Sequence, residues 1–179
     1  MGDVLLIAGF HRSGTSLVTQ LLHQAGLFVG ETLLQPLRSN PYGHFEDSEV
    51  VYLHEQILED SGLDWQVTRR PVLSVTPTRW RAMQGLVTRR RKAHSLWGFK
   101  DPRLCLFLPI WKHLIPEARV LVVFRHYADC ANSLERRHAE QLMEGFGSET
   151  IHRPFFQTPD LALRMWLAQN ETLLAFAER

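Results

Sequence analysis

One segment constrains the fold more than any other. The apolar run from Val4 to Ala8 feeds directly into Gly9-Phe10-His11-Arg12-Ser13-Gly14-Thr15-Ser16, and an amphipathic stretch follows without a break. An unbroken apolar run of this length suits a parallel strand covered on both faces. Leu17, Val18, Leu21, Leu22 and Ala25 recur at helical spacing and predict a helix from Thr15 to Ala25, buried along that stripe and stopped at Gly26. A strand, a tight glycine-bounded loop and a helix in this order form the opening unit of a doubly layered α/β domain.

The remaining sequence repeats that grammar. A second helix is predicted to start at Asp47 or Ser48, either of which can cap it. Val50, Val51, His54, Ile57 and Leu58 form its inner face, and Gly62 ends it. Pro77 stands where a first helical residue is favoured, and the helix reaches Ala93. Leu96 to Phe99 reads as a short strand, and the apolar segment Leu104 to Leu114 as helical beyond Pro109. Arg119 to Phe124 is a second strong buried strand ended by Arg125. A helix follows from Ala128 to Leu142, a loop from Gly145 to Pro159, and a last helix from Asp160 to Ala177 with Leu163, Trp166, Leu167, Asn170, Leu173 and Leu174 on one face. Strands alternating with helices predict a P-loop-type three-layer α/β/α domain around a central parallel sheet. Ligands bind such sheets beyond the carboxyl ends of the strands, so the loops after Ala8, Phe99 and Phe124 share one rim, and all three carry basic residues.

Bulk composition narrows the functional classes. The net charge of +1 points to no nucleic acid or membrane partner, so any anion must be held by local arrangement. Cys105 and Cys130 lack metal-ligand spacing, and the histidines form no metal-like cluster. No bound metal is expected, and a reducing, cytoplasmic location fits. The opening apolar run is too short for a signal peptide core or a membrane span. The five tryptophans read as core residues, and the Arg89-Arg90-Arg91-Lys92 run reads as a solvated helix end.

The first loop has the makings of an oxyanion cradle. Between a strand and a helix, successive backbone N–H groups converge, and the helix N-terminus adds positive potential. Gly14 lets the backbone approach an anion closely, and Thr15 and Ser16 add hydroxyl donors. The loop differs from that of the P-loop NTPases, which place a lysine after the second glycine. Here Thr15 stands there, and Arg12 is the long cation. Arg125 ends a strand on the same rim, and Ser133 lies eight residues on, about two helical turns away. An arginine fork and a hydroxyl there make a second anion site.

Together these two segments resemble the PAPS-dependent sulfotransferase family, which moves a sulfonate group from 3′-phosphoadenosine 5′-phosphosulfate (PAPS) to an acceptor. The loop His11-Arg12-Ser13-Gly14-Thr15-Ser16 stands where that family binds the 5′-phosphosulfate. Arg125 and Ser133 stand where it binds the 3′-phosphate. Arginine in the first loop, Asn40-Pro41-Tyr42-Gly43-His44-Phe45-Glu46-Asp47 and Lys100-Asp101-Pro102-Arg103-Leu104 look closest to the bacterial and Golgi-like branches. The similarity runs from Val4 to about Leu174, and residues 1–179 read as a single nucleotide-binding domain. A closing basic segment with glycine is not found, which implies a chain shortened at its C-terminus. His11 and Tyr127 stand where the family often has proline, and the histidine base of many cytosolic members has no counterpart at Lys100-Asp101-Pro102.

The resemblance implies in-line sulfonate transfer without a metal, to a hydroxyl or amine of a small-molecule, lipid or glycan acceptor. Arg12 and Lys100 are expected to stabilise charge on the transferred group and the leaving phosphate. Glu46 is the leading candidate for the base, with Asp101, His11 and His44 behind it. Segments 27–44 and 145–159 are expected to shape the acceptor pocket. Two other readings compete: a shortened or inactive nucleotide-binding module, and a P-loop nucleotide kinase.

Overall fold

A computed structural model describes residues 2–36, 40–145 and 148–178. Residues 37–39 and 146–147, in the two segments expected to shape the acceptor pocket, lie outside the described residues. The elements run β1 (Asp3–Ala8), α1 (Thr15–Gln24), α2 (Ser48–Asp60), α3 (Pro77–Ala93), β2 (Leu96–Lys100), α4 (Leu104–Leu114), β3 (Arg119–Val122), α5 (Tyr127–Met143), α6 (Glu149–His152), α7 (Pro154–Gln157) and α8 (Leu161–Ala177). The fold is a three-layer α/β architecture. Its sheet is parallel, with strand order β2-β1-β3.

The two-sided burial expected of β1 is present and splits by parity. Val4, Leu6 and Ala8 join the larger core with α2, α3, β2 and α4. Leu5 and Ile7 join Leu22, Leu27 and Val29 on the opposite face. Successive side chains of a strand point to opposite faces, so each face receives a helical layer. The predicted inner face of α2 is buried in full. Its cap is Asp47, whose side chain accepts from the Glu49 N–H at 3.1 Å. Pro77 opens α3 behind Thr76, whose hydroxyl accepts from the Arg79 N–H at 3.4 Å.

Several local expectations differ from the structure. The stripe on α1 is divided: Leu17 and Leu21 are 62% and 58% exposed, while Thr15 and Thr19 turn inward. Thr19 satisfies its hydroxyl on the Thr15 carbonyl at 2.7 Å, which lets a polar residue sit against the sheet. The buried face of α8 is rotated toward Leu161, Ala162, Met165, Ala168 and Thr172, leaving Leu167 and Leu174 exposed. Helix α4 runs through Pro109 rather than beginning after it. Burial of Leu104 to Leu108 and Trp111 outweighs the missing N–H. Strand β3 is one of the two sheet edges among the described residues, and Val122 and Phe124 are exposed rather than buried. Residues 145–159, expected as loop, contain the two short helices α6 and α7.

Arg90 departs from the expected solvated helix end. It is buried and bonded to Asp47 Oδ2 at 2.6 Å and Glu31 Oε1 at 2.8 Å, with its guanidinium over the Phe28 ring. It thereby clamps the C-terminal end of α3 to the N-cap of α2, directly behind the loop that delivers Glu46.

Candidate functional site

The parallel strands deliver Gly9, Asp101 and Val123 to one rim. Gly9 is squeezed there: an added Cβ would meet the Val123 carbonyl oxygen at 2.5 Å and Ser13 Oγ at 2.8 Å. Only a residue without a side chain lets β1 turn beneath β3. The turn closes with the Ser13 N–H donating to the Phe10 carbonyl at 3.1 Å. Arg12 takes a left-handed conformation at φ 65°, an uncommon state for a side-chain-bearing residue.

Gly14 occupies the N-cap of α1 at φ 95°, with open space where a Cβ would project. No side chain caps α1, and its first turn holds no acidic residue. The leading N–H groups of a helix have no acceptor within the helix. Those of Thr15 and Ser16 are therefore available, in the positive field of the helix N-terminus, to an anion above Gly14. Ser13 Oγ is buried and has no hydrogen-bond partner among the described residues.

The second basic segment meets this loop directly. Arg12 Nε donates to Ser133 Oγ at 2.9 Å, and Arg125 Nη1 donates to the Arg12 carbonyl at 3.1 Å. Ser133 accepts in this contact, so its own O–H remains free to donate. Arg125 spends one of its five N–H donors on that carbonyl and its Nε faces Asp129 Oδ2 at 3.6 Å, which leaves the rest of the fork for a ligand. Burial first, and then the charges of Arg136 and Arg125, push the Arg12 guanidinium below its ordinary pKa. Crowded cations of this kind are relieved by an incoming anion.

A cleft of about 240 Å³ opens above the loop, lined by His11, Arg12, Gly14, Thr15, Ser16 and Arg125 from the two anion segments. Glu46 and Lys100 line it as well. Ser13 lies beneath it, and Ser133 is reached through Arg12. Of the residues singled out in the sequence, His11, Arg12, Gly14, Thr15, Ser16, His44, Glu46, Lys100 and Arg125 share this opening, while Ser13, Ser133 and Asp101 do not line it.

Glu46 and Lys100 form a direct, buried ion pair. Glu46 reaches Lys100 because Phe45 adopts φ 53° and because Asp47, one residue on, is fixed as the α2 cap. Lys100 is fixed from the other side as the last residue of β2, between Phe99 in the core and buried Asp101.

Asp101 anchors a polar network behind the cleft. Arg103 Nη1 donates to its two oxygens at 3.0 and 2.9 Å, and the Arg103 backbone N–H donates to Oδ1 at 2.8 Å. His54 Nδ1 approaches Oδ2 at 3.0 Å, and Trp111 Nε1–H donates to His54 Nε2 at 2.8 Å. The Trp111 bond fixes the tautomer: His54 carries its proton on Nδ1 and gives it to Asp101. Burial alone would raise the Asp101 pKa. The charge of Arg103 and the His54 hydrogen bond overcome it and hold the carboxyl well below the usual range. With its oxygens already engaged by Arg103 and His54, Asp101 is not an available proton acceptor. Asp101 is singled out by the sequence as a candidate base, but its partners His54 and Trp111 look like ordinary residues on apolar helix faces.

His11 and His44, the other candidates for a base, are both held neutral. Burial, followed by the charge of Arg103, lowers His11 well below its ordinary pKa. Burial, followed by the charge of Arg137, lowers His44 to about 4. Arg137 itself, which drew no attention in the sequence, lines the cleft one turn of α5 beyond Ser133. The signal was its i+4 spacing from Ser133, masked by its place in an ordinary charged stretch of helix.

Among the described residues no group of three or more His, Cys, Asp or Glu side chains is placed to hold a metal ion, and no helix is long and apolar enough to cross a membrane. A family model described as the sulfotransferase family matches residues 5–179. Neither a curated protein nor a solved structure matches the chain.

Proposed function

The chain belongs to the sulfotransferase family, and on that premise we propose that it moves a sulfonate group from PAPS to a hydroxyl or amine of an acceptor. The observation that carries the reading is the contact between Arg12 and Ser133. It joins two anion-binding segments 121 residues apart at one opening, as a nucleotide with phosphates at both ends requires.

The residues fit such a ligand. The uncapped N-terminus of α1 and the open face of Gly14 suit the 5′-phosphosulfate. The spare donors of Arg125 and the free O–H of Ser133 suit the 3′-phosphate. Ser13 Oγ, without a partner among the described residues, supplies a buried hydroxyl at the base of the first pocket. Bound PAPS would supply an activated sulfonate, whose S–O bond to the 5′-phosphate breaks as the acceptor atom bonds to sulfur.

The chain's own part is positioning, charge and a proton. Glu46 receives the acceptor's proton on its carboxylate, which faces the cleft. Lys100, paired with Glu46, and Arg12, crowded by other arginines, offset the negative charge that builds on the leaving phosphate oxygen. Asp101, His54 and Arg103 keep the end of β2 in place while this happens. Both cysteines are buried free thiols, which suits a reducing, cytoplasmic setting.

Thermal unfolding tests the reading cheaply, since a ligand that binds only the folded state raises Tm. The 3′,5′-ADP product is expected to stabilise the protein, and ATP with Mg²⁺ is not. The reverse order would overturn the proposal in favour of phosphoryl-transfer chemistry.

A further inference from the structure

A second cavity, of about 570 Å³, adjoins the cleft and shares four of its lining residues: His11, His44, Glu46 and Arg137. Its volume lies in the range of small-molecule sites. Leu34, Leu134 and Ile151 give it apolar walls, and Trp65 stands in it with its indole against His11 at 5.0 Å and His138 at 5.6 Å.

Its polar inventory is unusual. Buried polar atoms in folded proteins are nearly all hydrogen-bonded. Here His11 Nε2, His44 Nε2, Arg103 Nε, Arg137 Nε and His138 Nε2 are all buried without a partner among the described residues, and all five residues line this cavity. Two of these side chains are held through other atoms. Arg103 is ion-paired to Asp101 and Glu55, and His138 is bonded through Nδ1 to His152 Nδ1 at 2.7 Å. Arg137 has no such account. Among the described residues it makes no hydrogen bond and no ion pair. Glu46, the carboxylate it shares the wall with, is engaged by Lys100. An arginine placed this way has a guanidinium fork free for a planar, two-oxygen anion.

We propose that this cavity is the acceptor site and that Arg137 selects a hydroxylated small molecule carrying a carboxylate. The inference rests on the sulfotransferase reading, which makes Glu46 the point where the acceptor's reacting hydroxyl arrives. The cavity extends from Glu46, and Arg137 stands at the junction of the two pockets. An acceptor can therefore offer its hydroxyl to Glu46 and its carboxylate to Arg137 while its ring lies against Trp65. Arg137 is a specificity-determining residue in this scheme: it binds a part of the acceptor that does not react.

Calorimetry on the protein saturated with 3′,5′-ADP tests this with two matched pairs of probes, 4-hydroxybenzoate against 4-hydroxybenzamide and glucuronate against glucose. At least one carboxylate is expected to bind about tenfold or more tighter than its neutral partner. Arg137→Gln should erase that ratio, and Arg137→Lys, which keeps the charge but not the fork, should recover only part of it. Equal affinity within both pairs for the unmodified protein overturns the inference without any variant having to fold. A ratio unchanged in Arg137→Gln overturns it as well, as does a variant whose main loss is in 3′,5′-ADP affinity, which would assign Arg137 to the donor. Failure of the unmodified protein to bind 3′,5′-ADP at all is the separate signature of a wrong donor reading, and removes this inference with it.

Discussion

Arg12 and Ser133 meet through a 2.9 Å hydrogen bond in which the guanidinium donates and the hydroxyl accepts. The contact ties the first loop of the sheet to the middle of α5, so the two halves of the proposed nucleotide site are held in register before any ligand arrives. Arg12→Ala removes both this tie and the cation proposed to stabilise the leaving group. Turnover is expected to fall by about 10²-fold or more, as when one preorganised charge stabiliser is lost. Binding of 3′,5′-ADP should weaken much less, because the α1 amides and Arg125 remain. Steady-state turnover alongside calorimetry on the same variant checks the split.

Glu46 and Lys100 are buried together, so each neutralises the other. Lys100→Met strands a buried carboxylate and is expected to cost about 3–5 kcal/mol of stability. Glu46→Gln keeps a hydrogen-bond acceptor for Lys100 and should destabilise less, while abolishing proton acceptance and lowering turnover. Urea unfolding and turnover measured on both variants separate the two roles. Normal turnover in Glu46→Gln with a working acceptor would remove Glu46 as the base.

Gly14→Ala separates fold from ligand. The left-handed conformation at this position costs a side-chain-bearing residue roughly 1–2 kcal/mol. The new methyl would project into open space within the cleft rather than against protein atoms. Nucleotide binding should therefore suffer more than stability, a contrast that Tm and calorimetry on one sample report directly.

How much of this was readable in advance depended on the kind of signal. The β1 run, the glycine-bounded loop, the inner face of α2, and the Asp47 and Pro77 starts were legible, because each rests on local backbone chemistry or an unambiguous period. The faces of α1 and α8 were misassigned, because leucines outnumber the buried positions. Thr19 and Thr172 can go inside by bonding their hydroxyls to their own helices. Arg90 was misread because its partners, Asp47 and Glu31, are 43 and 59 residues away. The His54–Trp111 bond was invisible for the same reason, since its meaning lies in what the fold brings together, and the i+4 spacing of Arg137 from Ser133 was lost in a charged stretch of helix.

Acid should destabilise the protein well before its carboxylates titrate. Burial and then Arg137 hold His44 at about 4, and burial, Arg137 and His152 hold His138 at about 3. Both titrate near 6.5 when unfolded. Between those values the unfolded chain binds more protons than the folded one, so stability is full above about pH 6.5 and falls toward pH 4. Urea unfolding free energies at several pH values across that interval should rise with pH. A flat profile there would mean that these histidines protonate freely in the folded protein.

The most direct test of the central claim compares 3′,5′-ADP with 5′-AMP, which lacks only the 3′-phosphate. Calorimetry is expected to give at least about tenfold tighter binding of 3′,5′-ADP, the worth of a charge-assisted phosphate contact, and Arg125→Ala should bring the two ligands together. Equal affinity of the unmodified protein for both nucleotides would contradict the account, because Arg125 and Ser133 would then hold no phosphate at all.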